Sequence, residues 1–229
     1  MMPVAGDRSP PLHPFSAAYL RHRYATLFYV LLLTMAAAPL LAACGLPGSF
    51  NEVFLAVSLL AAVMPAGTLK ERTVLLVLVL AVWLARSASA WLDDPVMSAA
   101  MLGASAAIGL FAAAGALRFA MHARRVDAEH LYAALSAYLL AGIFFALFYW
   151  TLEQIAPGSF AASGEFSRMS AIYFSFVTLA TLGYGDIVPR ADVARGLAII
   201  EGVGGQLFLA VMVARLVSLY GREKRAENT

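Results

Sequence analysis

The feature that most constrains this chain is a series of long apolar runs separated by short polar breaks. Each run is about 19–25 residues long, which lets an α-helix cross ~30 Å of hydrocarbon. A helix also satisfies its own backbone hydrogen bonds, as a lipid environment requires. We therefore predict an all-α membrane protein with six spanning helices. The runs are Tyr24–Ala43, Phe50–Leu69, Thr73–Trp91, Val96–Leu117, Leu131–Leu152 and Gly196–Tyr220.

The composition excludes several other classes of protein. Hydrophobic residues make up 62% of the chain and charged residues 13%, whereas soluble domains have about 45–50% and about 25%. The net charge of +2 is too small to suggest a nucleic-acid partner. The single cysteine excludes a disulfide framework, and no cysteine–histidine spacing fits a zinc site. These features argue against an enzyme and predict no cofactor.

The basic residues predict how the helices are oriented. With both termini cytoplasmic, 12 of the 16 lysine and arginine residues lie on the inner side, as expected for a multi-pass protein of a cell inner membrane. The alanine-rich, short-looped chain suggests a bacterial source. The predicted organisation is a cytoplasmic segment 1–23, a four-helix transmembrane bundle 24–121, a cytoplasmic linker 122–130, a second membrane domain 131–220 and a cytoplasmic tail 221–229.

The first run has a second interpretation. Its end, Leu41-Ala42-Ala43-Cys44-Gly45, is similar to a bacterial lipoprotein cleavage box. A signal peptide has an apolar region of only ~7–15 residues, whereas this run is long enough to span a bilayer. We expect a retained helix, with cleavage at Cys44 as the alternative.

A shorter apolar segment, 168–180, lies between the last two runs and is too short to span. It leads into Thr181-Leu182-Gly183-Tyr184-Gly185-Asp186, and non-helical backbone at membrane depth must face protein or a water-filled path. Gly183 and Gly185 adopt positive φ at little cost, so that successive carbonyls can point the same way. A row of carbonyl oxygens can replace the hydration shell of a cation. Segment 168–186 therefore predicts a pore helix followed by a cation filter.

Three further groups near this segment favour a cation. The Thr181 hydroxyl adds an oxygen at the inner end of the predicted filter. The C-terminus of the short helix, near Ala180, carries roughly half a negative charge. Asp186 adds negative charge at the outer mouth.

The residues Thr181-Leu182-Gly183-Tyr184-Gly185 closely resemble the TVGYG filter of the potassium-channel family, with leucine in place of valine. The resemblance covers residues 131–220: outer helix, pore helix, filter 181–186 and inner helix. It implies passive K⁺ conduction through a homotetramer, each subunit joined by three identical partners and surrounded by lipid. K⁺ is then the permeant ion, bound at the filter only. The gating stimulus and any regulatory partner stay open.

The pore helix departs from the family at two positions. Members of the family commonly have two tryptophans where this chain has Tyr173 and Phe174. We expect Tyr173 to donate a hydrogen bond to Asp186, whereas Phe174 cannot donate one to Tyr184. With Thr178, these residues are the predicted supports of the filter and of its outer mouth.

The fourth run carries no charged residue between Pro95 and Leu117. A voltage sensor needs several arginines, because moving one charge is worth only ~2.3 kcal/mol per 100 mV. We therefore predict a bundle that resembles a sensor domain in topology but lacks gating charges. Small residues such as Gly103, Gly109 and Gly115 in this run favour close helix packing.

The last run contains candidate gating residues. Gly202, Gly204 and Gly205 could form a hinge, with Gly205 the best match to the family, or could only allow close helix packing. Below them, an apolar constriction could close the pore by dewetting. The candidates for that constriction are Phe208, Leu209, Met212, Val213 and Leu216.

Glu201 lies in the same run, at a depth where an acid costs ~2.5–3.5 kcal/mol or more. Acids at such depth usually have a partner, and we expect Ser175, Thr178 or a backbone group near the filter. Two interpretations stay open. Glu201 either satisfies buried polar groups and fixes packing, or its protonation state affects the filter.

Two other functions fit a chain of this type. One is a pore-loop subunit of an active potassium transporter, although such transporters usually carry four loops in one chain and this chain has one. The other is a non-conducting membrane scaffold or lipoprotein with a vestigial filter. A measurement of passive K⁺ flux separates both from a channel.

Overall fold

The computed structural model describes residues 22–43, helical positions scattered between 73 and 84, and residues 95–122 and 128–227. It confirms the predicted all-α class, with one short pair of strands among the described residues. The elements are α1 (Arg23–Ala43), α2 (Pro95–Met121), α3 (Ala128–Ile155), β1 (Phe160–Ala162), α4 (Arg168–Leu179), β2 (Ile187–Pro189) and α5 (Asp192–Glu227).

Within the described part of the chain, three helices are long and apolar enough to cross a membrane. They are Met97–Met121, Ala128–Ile155 and Asp192–Arg215, which correspond to the last three predicted runs. Helix α1 corresponds to the first run. The second run and Cys44 lie outside the described residues.

Two helices extend beyond the predicted domain boundaries. Helix α3 begins at Ala128, inside the predicted linker 122–130, and α5 continues to Glu227, through most of the predicted tail 221–229. Glutamate, lysine and arginine are good helix formers, so the end of an apolar run does not end the helix. Glu129 in the first turn of α3 also complements the positive end of the helix dipole.

Helices α1 and α2 both pack against α3, the first helix of the predicted pore domain. Leu31, Leu140 and Phe144 are completely buried in the apolar core between these three helices. Gly109 of α2 lies so close to the Phe144 ring that a Cβ there would overlap the ring, whereas Gly115 faces open space. Close packing through small residues, as predicted for this run, is therefore concentrated at Gly109.

Helix α3 also positions the pore segment. Helix α4 packs against both α3 and α5. A Cβ on Gly142 of α3 would lie 2.6 Å from the Phe176 ring, so a glycine is needed for α4 to approach this closely. The predicted pore helix 168–180 is observed as Arg168–Leu179, with Ala180 as its C-cap.

The strands join the segment before α4 to the segment after the predicted filter. They are antiparallel, with Phe160 opposite Pro189. Phe160 stacks on Phe166 at 4.5 Å between ring centroids and meets Tyr149 and Phe174 edge-on. This buried aromatic cluster anchors the outer end of the filter segment to α3 and α4.

Candidate functional site

The candidate site begins where α4 ends. The Leu182 N–H donates to the Val177 carbonyl and the Thr181 N–H to the Thr178 carbonyl, each at 2.9 Å. Thr181 itself has a φ of 57°. These are the bonds and the left-handed residue of a Schellman C-cap, a position usually occupied by glycine. The first residue of the predicted filter is therefore also the cap of the pore helix.

Every second residue of the predicted filter has a positive φ. The values are 57° at Thr181, 55° at Gly183 and 80° at Gly185. This alternation rotates successive peptide groups so that their carbonyls can share one side, as predicted from Gly183 and Gly185. Thr181 was not expected to adopt this conformation, and it is the one non-glycine residue with positive φ in the described ranges.

In the single chain, the predicted filter segment 181–186 and helix α5 are largely exposed. Leu182 is 58% and Tyr184 67% exposed. Only 11% of the α5 span is buried, against 56% of the α3 span. An apolar surface of this extent is typical of a face that contacts other protein or lipid. This surface therefore suits contact with further protein chains or with lipid.

The outer mouth contains Tyr173, Tyr184 and Asp186. The rings of Tyr173 and Tyr184 are nearly parallel, with centroids 6.4 Å apart. Asp186 raises the pKa of the Tyr173 hydroxyl, because its carboxylate favours the protonated phenol as a hydrogen-bond donor and opposes a second negative charge. The hydrogen bond from Tyr173 to Asp186 itself stays a prediction. Phe174 does not join this group, because it is buried against Tyr149 at 5.0 Å between ring centroids. Its support of the filter is therefore indirect, through the aromatic cluster.

Glu153 has a structural role that the sequence did not reveal. Its carboxylate accepts hydrogen bonds from the backbone N–H groups of Gly158 at 2.7 Å and Phe160 at 3.1 Å. Gly158 has a φ of 86°, as the tight turn after α3 requires. The two N–H groups lie five and seven residues after Glu153, and no local sequence pattern signals the contact in advance.

Glu201 is 1% exposed and lies between three helices. The Tyr149 hydroxyl of α3 donates to its Oε2 at 2.6 Å, and the Ser175 hydroxyl of α4 contacts its Oε1. The same Ser175 oxygen lies 2.7 Å from the Gly142 carbonyl oxygen of α3. Of the two hydroxyls expected as partners, the structure brings Ser175 to the acid. Tyr149, the second partner, is far away in sequence and was not predicted.

The three candidate hinge glycines differ in their surroundings. Gly205 is buried, and a Cβ there would overlap the backbone carbonyl oxygen of Leu179. A Cβ on Gly202 would make ordinary contact with Thr178 at 3.8 Å, and one on Gly204 would meet nothing within 4 Å. These contacts favour the packing interpretation for Gly205, which lets α5 approach the end of the pore helix.

We expect Gly205→Ala to destabilise the protein by roughly 1–3 kcal/mol per subunit, because the overlapped atom is backbone and α5 must move away from α4. Gly204→Ala is the matched control. It should be neutral, or stabilising by up to ~1 kcal/mol, since alanine favours a helix. The measurement is the thermal unfolding of each purified variant in detergent. Equal unfolding temperatures for the two variants would contradict the packing interpretation.

The five candidate constriction residues do not share one face of α5. Met212 is buried in the core with α1–α3, and Phe208 packs on Tyr138 of α3 at 5.4 Å between ring centroids. Leu209 and Val213 are exposed in the single chain. Residues four apart lie on the same side of a helix, which separates these two pairs. The structure therefore leaves Leu209 and Val213 as candidates; the side chain of Leu216 lies outside the described residues.

Gln206 is a residue of the site that the sequence interpretation missed. Its side-chain Nε2 donates a hydrogen bond to the Thr181 Oγ1 at 2.8 Å. The two residues are 25 positions apart, so no local pattern pairs them. The available signal was a glutamine, an uncommon residue in an apolar spanning run, placed directly after Gly205.

Comparison with known proteins places this site in a family. A family model described as "Ion channel" matches residues 134–222, from α3 to α5. The chain is 34% identical over 89 residues to "Inward rectifier potassium channel Kirbac3.1" of Paramagnetospirillum magnetotacticum, a match that covers 37% of this chain and 28% of that protein. It is 35% identical over 91 residues to "Two pore potassium channel c" of Oryza sativa subsp. japonica, covering 39% and 18%.

A shorter relative is matched over most of its length. The chain is 32% identical over 100 residues to "Protein LctB" of Bacillus caldotenax, covering 41% of this chain and 74% of that protein. By contrast, the matched region covers less than a third of the length of the inward rectifier channel and of the two pore channel. No solved structure matched the chain.

Proposed function

Because this chain belongs to the potassium channel family, we propose that it forms a potassium-selective channel through which K⁺ passes passively down its gradient. As a channel protein it is not an enzyme, and K⁺ is the ion conducted rather than a cofactor. The observation that carries the proposal is the alternation of positive φ at Thr181, Gly183 and Gly185, directly after the pore helix.

The proposed ion sites lie along residues 181–184. The carbonyls of Thr181, Leu182, Gly183 and Tyr184 would supply the oxygens that replace water around K⁺, with the Thr181 hydroxyl at the inner end. The Schellman cap supports this assignment, because it leads the chain from the end of α4 directly into the alternating segment. Gly185 and Asp186 complete the outer mouth.

The proposed assembly is a homotetramer in a bacterial inner membrane, with both termini cytoplasmic. One chain supplies one filter segment, whereas a ring of carbonyls around an ion needs several. The uncovered filter and the largely exposed α5 support an assembly about this face. Residues 131–220 then form the pore, with α1 and α2 packed against α3, its first helix.

The test is ion flux into liposomes that contain the purified protein and no energy source. We expect passive K⁺ uptake far above Na⁺ uptake, with empty liposomes as the control. Uptake that depends on a nucleotide or an ion gradient would instead favour the transporter subunit. A protein that assembles and is correctly folded but carries neither ion would favour the non-conducting scaffold.

A further inference from the structure

Thr181 holds a backbone conformation that its side chain disfavours. A β-branched residue with a φ of 57° is an outlier, and such residues persist only where their surroundings hold them. The Schellman position that Thr181 occupies is normally a glycine. A glycine would remove the strain but would also remove the hydroxyl. The strained conformation therefore indicates that the hydroxyl is needed at this point.

Gln206 is the side chain that holds this hydroxyl. Its Nε2 lies 2.8 Å from the Thr181 Oγ1. The contact is possible because the preceding residue, Gly205, lets α5 approach the backbone at Leu179. Both Thr181 and Gln206 are exposed in the single chain, on the uncovered side that includes the filter. The bond therefore lies at the inner end of the filter and not in the protein core.

A hydroxyl oxygen has two lone pairs and one hydrogen, and an amide has both a donor and an acceptor. When Gln206 donates to Thr181, one lone pair of the hydroxyl is used and the other stays available for a cation. The amide oxygen of Gln206 also stays available to accept a hydrogen bond from a water molecule that hydrates an ion entering from the cytoplasmic side. A fixed hydroxyl is a better ligand than a rotating one, since no ordering is needed when the ion binds.

We propose that Gln206 is a positioning residue, which holds the Thr181 hydroxyl as a ligand of the innermost cation site. This inference rests on the proposed channel function and adds a residue outside the filter to it. In an assembly of four chains, four Gln206–Thr181 pairs act on one ion, so that small effects in each chain multiply.

The test uses Ba²⁺, a divalent cation similar in size to K⁺, applied to the cytoplasmic side of the wild-type channel in planar bilayers. We expect Gln206→Leu to weaken Ba²⁺ block by about tenfold, since one lost hydrogen bond per subunit is multiplied over the assembly. Gln154→Leu changes the other glutamine of the chain, an exposed residue at the end of α3, and should leave the block unchanged.

A second substitution tests whether Gln206 affects Ba²⁺ block through the Thr181 hydroxyl. Thr181→Val keeps the branched shape and removes the hydroxyl, so Gln206→Leu should have no further effect on Ba²⁺ block in that background. If Thr181→Val does not conduct, the same double-mutant cycle is measured as thermal stability in detergent, where we expect the two substitutions to be non-additive.

Each outcome bears on one proposal. A wild-type protein that conducts no K⁺ would overturn the proposed function itself. A conducting wild type with equal Ba²⁺ block in Gln206→Leu and Gln154→Leu would overturn only the role of Gln206. An equal effect of Gln206→Leu with and without the Thr181 hydroxyl would show that Gln206 does not act through Thr181, which also overturns the inference.

Discussion

Replacing Gly185 with alanine should abolish selective K⁺ conduction. Gly185 has a φ of 80°, and a left-handed conformation costs an L-residue ~1–2 kcal/mol because its Cβ approaches the carbonyl oxygen. Nothing lies within 4 Å of the added Cβ, so backbone conformation and not crowding causes the effect. In the proposed tetramer, the four subunits together would lose roughly 4–8 kcal/mol. The filter can relieve this strain by rotating the peptide, which turns a carbonyl away from the ion.

The measurement is the reversal potential in mixed K⁺ and Na⁺ solutions, with Gly158→Ala as the matched control. Gly158 has a φ of 86° and open space around its Cβ, but it lies in the turn after α3. Its alanine variant should lose a similar amount of stability and keep its selectivity. If Gly185→Ala channels selected K⁺ over Na⁺ as well as wild type does, the proposed alignment of the filter carbonyls would be wrong.

The apolar helices and the positive φ values at Gly183 and Gly185 could be predicted because their signals are local. Runs such as Val96–Leu117 are long and apolar, and the bilayer leaves a helix as the structure available to them. Gly183 and Gly185 alternate with larger residues, and glycine is the residue that adopts positive φ freely. Their φ values of 55° and 80° are ones that glycine adopts without strain.

The remaining features depend on contacts between distant segments. Strands β1 and β2 have three residues each, too few for a period-two pattern, and they pair across the pore helix and the filter. The positive φ of Thr181 opposes the preference of its own side chain and follows from the cap of α4. Helix α5 has a buried face with Met212 and an exposed face with Val213. These faces could not be distinguished from the sequence, because they depend on where the other helices pack.

For Glu201, the sequence predicted the buried position within the last apolar run. It did not predict which groups around the acid donate hydrogen bonds and which accept them. The Ser175 hydroxyl has a single hydrogen but contacts two oxygens, those of Gly142 and Glu201. Both contacts are full hydrogen bonds if Ser175 donates to Gly142 and a protonated Glu201 donates to Ser175. Tyr149 then donates to the second oxygen of the acid. A neutral acid also costs less to bury than a carboxylate.

This arrangement predicts that Glu201→Gln is tolerated and Glu201→Leu is not. A glutamine amide can donate to Ser175 and accept from Tyr149, as the neutral acid does. Leucine leaves the buried Tyr149 hydroxyl without its partner, at roughly 1–3 kcal/mol per subunit. Thermal unfolding in detergent should therefore show Glu201→Gln close to wild type and Glu201→Leu clearly lower. Glu165→Leu, at an exposed acid, serves as the control.

The comparison of glutamine with leucine is decisive because the two side chains differ in hydrogen bonding more than in size. If Glu201→Gln unfolded as early as Glu201→Leu, Glu201 would have to be a charged carboxylate that accepts from both Ser175 and Tyr149. The Gly142 carbonyl would then lose the Ser175 hydrogen. If glutamine substitutes as expected, a neutral acid links α3, α4 and α5 behind the filter, where a lost hydrogen bond would loosen the pore helix that Thr181 caps.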